Sequence, residues 1–309
     1  MKILLVDSSG LIYRGHYGYG KEVLTTSTGP QTHAVRSFVQ SVWNLQDTYQ
    51  PDQTIVVFDA GKPAHRMDAL PEYKANRKTK DPALLDQMRI CYQMAPELGF
   101  NRMATKGQEA DDLIWTICAR KTPDCEILIV TEDKDIGQCL RDGISLVKRS
   151  GDRAKPWKTV SAAEFEESFG CAPTQVPGYL ALVGDSSDNI PGVHGVGPKT
   201  AAAWIREHGT LDKVLENIET LKPERFRALL EKGREIIERN LIVTTLVDLG
   251  DQIPAPQEPD FAAAEKRMLE LEMVRLSETL AKRVSGSNKM PIAAEKPANT
   301  PTIEQQMLF

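Results

Sequence analysis

The chain has 309 residues, 41% apolar and 26% charged, with a net charge of −5. That is room for one large α/β domain and a smaller helical module, in a composition ordinary for a soluble globular protein. No stretch approaches the roughly 20 apolar residues of a membrane span, the start MKILLVDSSG lacks a signal-peptide layout, and Cys91, Cys118, Cys125, Cys139 and Cys171 are scattered without a Cys-x-x-Cys pair, so a cytoplasmic protein with reduced, buried thiols is expected rather than a disulfide framework or zinc site.

In chain order, short apolar runs at 2–6, 54–58 and 126–130 predict buried parallel strands, each ending in an acidic or turn residue. Helical patterns at 32–48, 84–98 and 110–121 alternate with them, the arrangement of a parallel sheet covered on both faces. Sites in such sheets form at the carboxyl ends of the strands, where Asp7, Asp59 and Asp133 fall. From about residue 183 the pattern changes to Gly-rich turns and short helices. Gly192, Gly195 and Gly197 punctuate a loop, and Pro198 suits the first position of a helix running to His208. Helices are predicted at 211–220 and 224–247, a Pro-rich spacer at 252–259 and a C-terminal helix at 261–284. Residues 285–303, rich in Ser, Asn, Pro, Ala and Lys, read as disordered.

Four acidic groups stand out: Asp7, Asp59, the run Glu109, Asp111 and Asp112 opening a helix, and Asp133 with Asp135, followed later by Asp185 and Asp188. Singly, acids at helix starts complement the macrodipole and acids after strands form turns. Together at one sheet edge they would repel and raise one another's pKa values unless cations neutralised them. Oxygen ligands without His or Cys select Mg²⁺ or Mn²⁺, and two such ions activate water and stabilise a leaving oxygen in phosphodiester hydrolysis. With these nine acids set aside, the net charge of −5 becomes +4. Residues 62–80 carry Lys62, Arg66, Lys74, Arg77, Lys78 and Lys80 against Asp68 and Glu72. A basic segment beside an acidic pocket suits a polyanion with bound cations.

The motifs LLVDSSGLIYR, PEYKANR, GQEADD, TEDKD and GDSSDNIPGVHGVGPKTA, in this order and spacing, resemble the 5′→3′ nuclease domain of bacterial DNA polymerase I and the flap endonuclease and phage 5′-nuclease group around it. The resemblance runs from Met1 to about Asp251. It implies a PIN-like parallel-sheet α/β core with a helical arch, plus an all-α helix–hairpin–helix DNA-binding module. The implied boundaries are 1–182 for the core (arch about 62–98), 183–250 for the module, 251–284 for a linker and helix, and 285–309 for a tail. The implied activity is that of a structure-selective 5′ nuclease, a 5′→3′ exonuclease and flap endonuclease serving primer or flap removal and repair. A branched-DNA-binding protein that does not cut, and a ribonuclease on the same core, are the alternatives.

The resemblance further implies that Asp7, Asp59, Glu109 and Asp111 hold a first metal and that Asp112, Asp133, Asp135, Asp185 and Asp188 form a second site. Lys74 and Arg77 would reach the scissile phosphate as catalytic residues, Arg14 matches another phosphate-facing position, Lys78 lies beside them, and Tyr73 would stack on a base. In the module, Gly195, Gly197, Lys199 and Thr200 would grip phosphates without reading bases, and the carbonyls of Val193 and Val196 would hold K⁺. Ser8 and Glu132 depart from the pattern, each standing where the family usually has Gly, beside the acids. The last residues, with Gln305, Leu308 and Phe309 as anchors, resemble the peptide by which bacterial replication proteins dock on the sliding clamp. The partners implied are flap or branched DNA, an RNA primer on DNA and the clamp, with the chain itself a monomer and no membrane involved.

Overall fold

Alternation of apolar side chains sorts the first strand to both faces of a sheet: Ile3 and Leu5 join one buried cluster, Leu4 and Val6 the other. A computed structural model describes residues 1–18, 23–250 and 257–286. Its main sheet is built from β1 (Lys2–Asp7), β2 (Gln53–Val57), β3 (Asn101–Met103), β4 (Glu126–Val130), β5 (Ile144–Arg149) and β6 (Trp157–Val160), in the order β3-β2-β1-β4-β5-β6. All neighbours are parallel except β5 and β6. The apolar runs predict β1, β2 and β4 to within a residue. The short β3 and the more polar β5 and β6 lack such a run.

One face is covered by α1 (Ser8–Tyr17), α2 (His33–Tyr49) and, beyond the short α3 (Ala64–Ala69), by α4 (Pro82–Glu97). These helices bury Ile12, Phe38, Val42, Leu84, Met88 and Met94. The other face is covered by α5 (Ala110–Ala119), followed after β6 by α6 (Ala162–Phe169) and α7 (Val176–Val183). The segment 62–98 is therefore composite. Its first part carries α3 and a run of turns, and α4 belongs to the core layer.

A two-stranded ribbon, β7 (Gly184–Asp185) with β8 (Ile190–Pro191), leads into the second module. Here glycine is required: a Cβ on Gly192 would lie 2.1 Å from the Val183 carbonyl oxygen, and Gly184 has φ +75 with its Cβ position 2.3 Å from the Gly192 nitrogen. Then come α8 (Pro198–His208), α9 (Leu211–Glu216), α10 (Arg225–Lys232) and α11 (Arg234–Thr244). The predicted helix 224–247 breaks at Gly233, where the Val193 side chain packs 3.1 Å from the Cβ position.

Helix α11 is fixed to the core by polar contacts. The buried Asn240 amide donates to the carbonyls of Ala181 (3.0 Å) and Pro191 (2.8 Å), and Gln138 donates to Thr244 O (2.9 Å). The predicted C-terminal helix is a hairpin, α12 (Phe261–Glu270) and α13 (Val274–Gly286), turned where Glu272 takes φ +56. Met268, Leu276 and Leu280 join the α2/α4 core, and Arg267 pairs with Glu97 at 2.6 Å. The Glu272 carboxylate accepts the Ser27 N–H at 3.0 Å. All five cysteines are free and buried. No helix among the described residues is long and apolar enough to cross a membrane.

Candidate metal centre

At the carboxyl edge of the sheet, backbone and hydroxyl donors fix the first acids. Asp7 closes β1 and caps α1: Oδ1 accepts the Ser9 N–H (3.0 Å) and Oδ2 the Thr131 hydroxyl (3.0 Å). Asp59, two residues beyond β2, accepts the Ala110 N–H (2.9 Å) and the Ser9 hydroxyl (2.7 Å). Thr131 also accepts the Asp133 N–H, and Asp133 the Asp135 N–H (2.8 Å). Asp111 occupies the first turn of α5. Burial, then the charges of Asp59 and Asp133, push the Asp7 carboxyl up to about 7. Burial, then Asp133 and Asp59, raise Asp111 well above the carboxylate range, against the pull of Lys74. Asp7, Asp59, Asp111 and Asp133 are thus one repelling group.

Asp135, Asp185 and Asp188 form a second group, with one oxygen of each within 4.8 Å of the others. The β7–β8 turn carries Asp185 and Asp188. Burial, then Asp133 and Asp185, push Asp135 up to about 8, and its Oδ1 is buried with no hydrogen-bond partner. Burial also raises Asp185, but hydrogen bonds from the Ser187 hydroxyl (2.6 Å) and N–H (2.9 Å), together with Lys134 at 3.1 Å, outweigh it and hold the group low. Crowded oxygens, raised carboxyls and an orphaned acceptor fit divalent cations, which neutralise such charge and favour oxygen ligands.

Two predicted ligands have other partners. Asp112, assigned by the sequence to the second site, is fully buried against Arg66: Oδ2 lies 2.6 Å from Nη1 and Oδ1 2.8 Å from Nη2, and Oδ1 also accepts the Val247 N–H at 2.9 Å. Neighbouring helical residues point about 100° apart, so Asp112 diverges from Asp111. Glu109 is buried beside three donors: Lys74 Nζ (2.6 Å), Arg66 Nη1 (2.8 Å) and the Tyr73 hydroxyl (3.1 Å).

The PEYKANR segment clasps the acidic turn. Lys74 N–H donates to Asp188 O (2.9 Å), Asn76 to Ser186 O (2.7 Å), and Asn189 to Glu72 O (2.7 Å). Lys74, at φ +56, is buried with Nζ 3.6 Å from Asp188, and Arg77 lies 2.5 Å from the same carboxylate. Tyr73, expected to stack on a base, instead has its ring buried, and its hydroxyl reaches Glu109 and Asp188 (3.3 Å). Lys78 is exposed, as is Arg14 on α1.

Ser8 is fully buried with its hydroxyl unpartnered, whereas Glu132 is exposed and accepts the Arg149 N–H at the end of β5 (3.1 Å). In the second module Gly195 has φ +81, Gly197 caps α8, and Lys199 and Thr200 lie in its first turn. Val193 and Val196 are buried, and the Val193 carbonyl accepts the Val196 N–H (3.0 Å). Gln305, Leu308 and Phe309 lie outside the described residues. The sequence reading missed Ser9, Thr131, Lys134, Ser187 and above all Arg66, whose only signal was membership of a basic run.

Family profiles match the chain twice: 5′-3′ exonuclease, N-terminal resolvase-like domain, over residues 2–170, and 5′-3′ exonuclease, C-terminal SAM fold, over 171–282. A 5′-3′ exonuclease of Bacillus subtilis is 34% identical over 242 residues, 77% of this chain and 80% of that protein. DNA polymerase I of Treponema pallidum is 33% identical over 253 residues; these cover 82% of this chain, which spans only 25% of the polymerase. In fold, the chain is similar to a bacteriophage T5 flap endonuclease in a pseudo-enzyme–product complex with DNA and metal ions. That likeness has a TM-score of 0.64 at 20% identity, covering 92% of this chain and 100% of that one.

Two predictions follow from the geometry. Arg66→Met leaves Asp112 buried and unpaired and lowers stability by about 3–5 kcal/mol; adding Asp112→Leu recovers most of this in denaturant melts, whereas an additive double mutant refutes the pairing. Because Asp7 and Asp135 are raised to about 7 and 8, the folded chain holds protons that the unfolded chain has already lost. In EDTA the melting temperature therefore falls as pH rises from about 5 to 8. A cation held by these acids would compete with those protons, so any stabilising shift on adding Mg²⁺ should grow over the same range.

Proposed function

The chain belongs to the 5′-3′ exonuclease family, and we propose that it is a structure-selective 5′ nuclease that hydrolyses DNA phosphodiesters near single-strand/duplex junctions. The observation that carries the reading is the set of crowded carboxylates at the sheet edge, clasped by a segment bearing Lys74 and Arg77. Asp7, Asp59, Asp111 and Asp133 on one side, and Asp135, Asp185 and Asp188 on the other, are proposed to hold two Mg²⁺ or Mn²⁺ ions, with Glu109 joining them if its cationic partners turn to substrate. Such ions supply activation of the attacking water and stabilisation of the leaving oxygen.

The chain's own residues do the rest. Ser9 and Thr131 orient the Asp7 and Asp59 carboxylates, limiting reorganisation on loading. Lys74 and Arg77 now neutralise Glu109 and Asp188, and a phosphodiester brought to the acids would offer them a second anionic partner in the transition state. Exposed Arg14 and Lys78 extend the positive edge. Residues 1–182 would form the cutting core and 183–250 the duplex grip, with Gly195, Gly197, Lys199 and Thr200 at phosphates and the Val193 and Val196 carbonyls at K⁺. The natural work would be trimming 5′ flaps or RNA primers in a cytoplasmic, monomeric enzyme. The tail anchors Gln305, Leu308 and Phe309 would dock on a sliding clamp, a tether that raises local concentration.

A 5′-labelled flap duplex tests the reading. Cleavage at the junction is expected with Mg²⁺ and none with EDTA. Asp111→Ala should abolish it, and Lys74→Ala should slow turnover about 10²–10³-fold. Tight flap binding without turnover in Mg²⁺ or Mn²⁺ would establish the binding-module alternative, and preference for a matched RNA substrate the ribonuclease one. Deleting residues 305–309 should remove clamp binding and spare cleavage; unchanged clamp affinity defeats the docking assignment.

A further inference from the structure

Beside the acidic centre lies a concentration of positive charge that those acids do not balance. Arg14, Arg149 and Arg153 line one hollow of about 260 Å³. Arg14 projects from α1 seven residues after Asp7, or about 10 Å along the helix. Arg149 ends β5 at the same carboxyl edge of the sheet, and its guanidinium stacks on the Trp157 ring at 4.6 Å. Arg153 sits in the turn between β5 and β6. None of the three forms a salt bridge among the described residues, unlike Arg66 and Arg77 nearby. The two carboxylates at hand are partly committed: Asp152, on the rim, accepts the Ala154 N–H (2.8 Å), and Glu132 accepts the Arg149 N–H. Burial, then the charge of Arg14, push the Arg149 guanidinium down, with Glu132 opposing. Three arginines held around one hollow repel one another unless an anion joins them, and the guanidinium fork matches phosphate oxygens.

We propose that the Arg14–Arg149–Arg153 hollow is a second phosphate site, which takes a backbone phosphodiester of the substrate strand beyond the cleaved bond. The hollow lies beside the acidic centre, so the phosphate it takes lies within the first few nucleotides of the cleaved bond. The site grips the strand without reading bases, so it fixes how far the strand runs past the acids and hence where the cut falls. The inference rests on the nuclease reading, since it needs a strand threaded past the acidic centre.

The test measures affinity for a flap duplex by fluorescence anisotropy with Ca²⁺ in place of Mg²⁺, across a salt series. In the full chain, Arg149→Ala with Arg153→Ala should reduce the slope of log K against log salt by about 0.7–0.9, the release from one phosphate. The paired Lys variants should retain most of the slope. Arg153→Ala alone, at an exposed position, should lose part of it and guards against misfolding of the double variant. A single methylphosphonate scanned along the strand should weaken wild type at one position within a few nucleotides of the cut, and should leave the double Ala variant unaffected there. An unchanged slope, or a methylphosphonate effect as large in the variant as in wild type at every position, overturns the site. Wild-type protein that fails to cut the flap in Mg²⁺ instead strikes the nuclease reading, whatever the slope.

Discussion

Carboxylate repulsion at the carboxyl edge of the parallel sheet is the constraint around which the rest of the molecule is arranged. Asp7 and Asp135 are pushed up to about 7 and 8 by burial and by neighbouring acids, so assembling these groups opposes folding at neutral pH. Rigid donors limit the cost. Ser9, Thr131 and the amino end of α5 each hold an acid through hydrogen bonds of 2.7–3.0 Å. A centre held in this way is unfavourable by itself, and its charge and oxygen donors fit divalent cations.

Internal cations divide that charge unevenly. Arg66 saturates Asp112 and touches Glu109, while Lys74 and Arg77 reach Glu109 and Asp188. Arg66 also donates to the Val243 carbonyl at the end of α11 (2.9 Å). One buried guanidinium therefore ties the basic segment, the α5 acids and the second module together. The turn that carries Asp185 and Asp188 is held on one side by backbone contacts to Glu72 and Lys74, and on the other by the glycine approach at Gly184 and Gly192. The module that would grip duplex and the edge that would cut are coupled through these contacts rather than through a flexible link.

Much of the fold was legible. Val-, Ile- and Leu-rich runs marked β1, β2 and β4, and Pro198 after Gly197 placed α8 within its observed bounds. What stayed hidden had weak local signals. β3 has three residues, and β6 pairs antiparallel at the edge with two exposed positions. The breaks at Gly233 and Glu272 interrupt patterns that read as single helices, because apolar periodicity continues across each turn. The C-terminal hairpin was foreseen as one helix for that reason.

The sequence by itself determined which acids close which strands, because a buried strand that ends in Asp leaves little freedom over where the carboxylate lies. It also determined the Gly-rich turn before α8 and the basic character of residues 62–80. Only the tertiary structure decided how these charges pair. Asp111 and Asp112 are adjacent in sequence, but the helical twist sends one to the acidic centre and the other to Arg66, 46 residues away. Tyr73, expected from the resemblance to stack on a base, is buried with its hydroxyl against Glu109 and Asp188, brought from 36 and 115 residues away. Such pairings depend on distances across the fold, and those are set by packing of the sheet, α3 and α11 rather than by any local pattern.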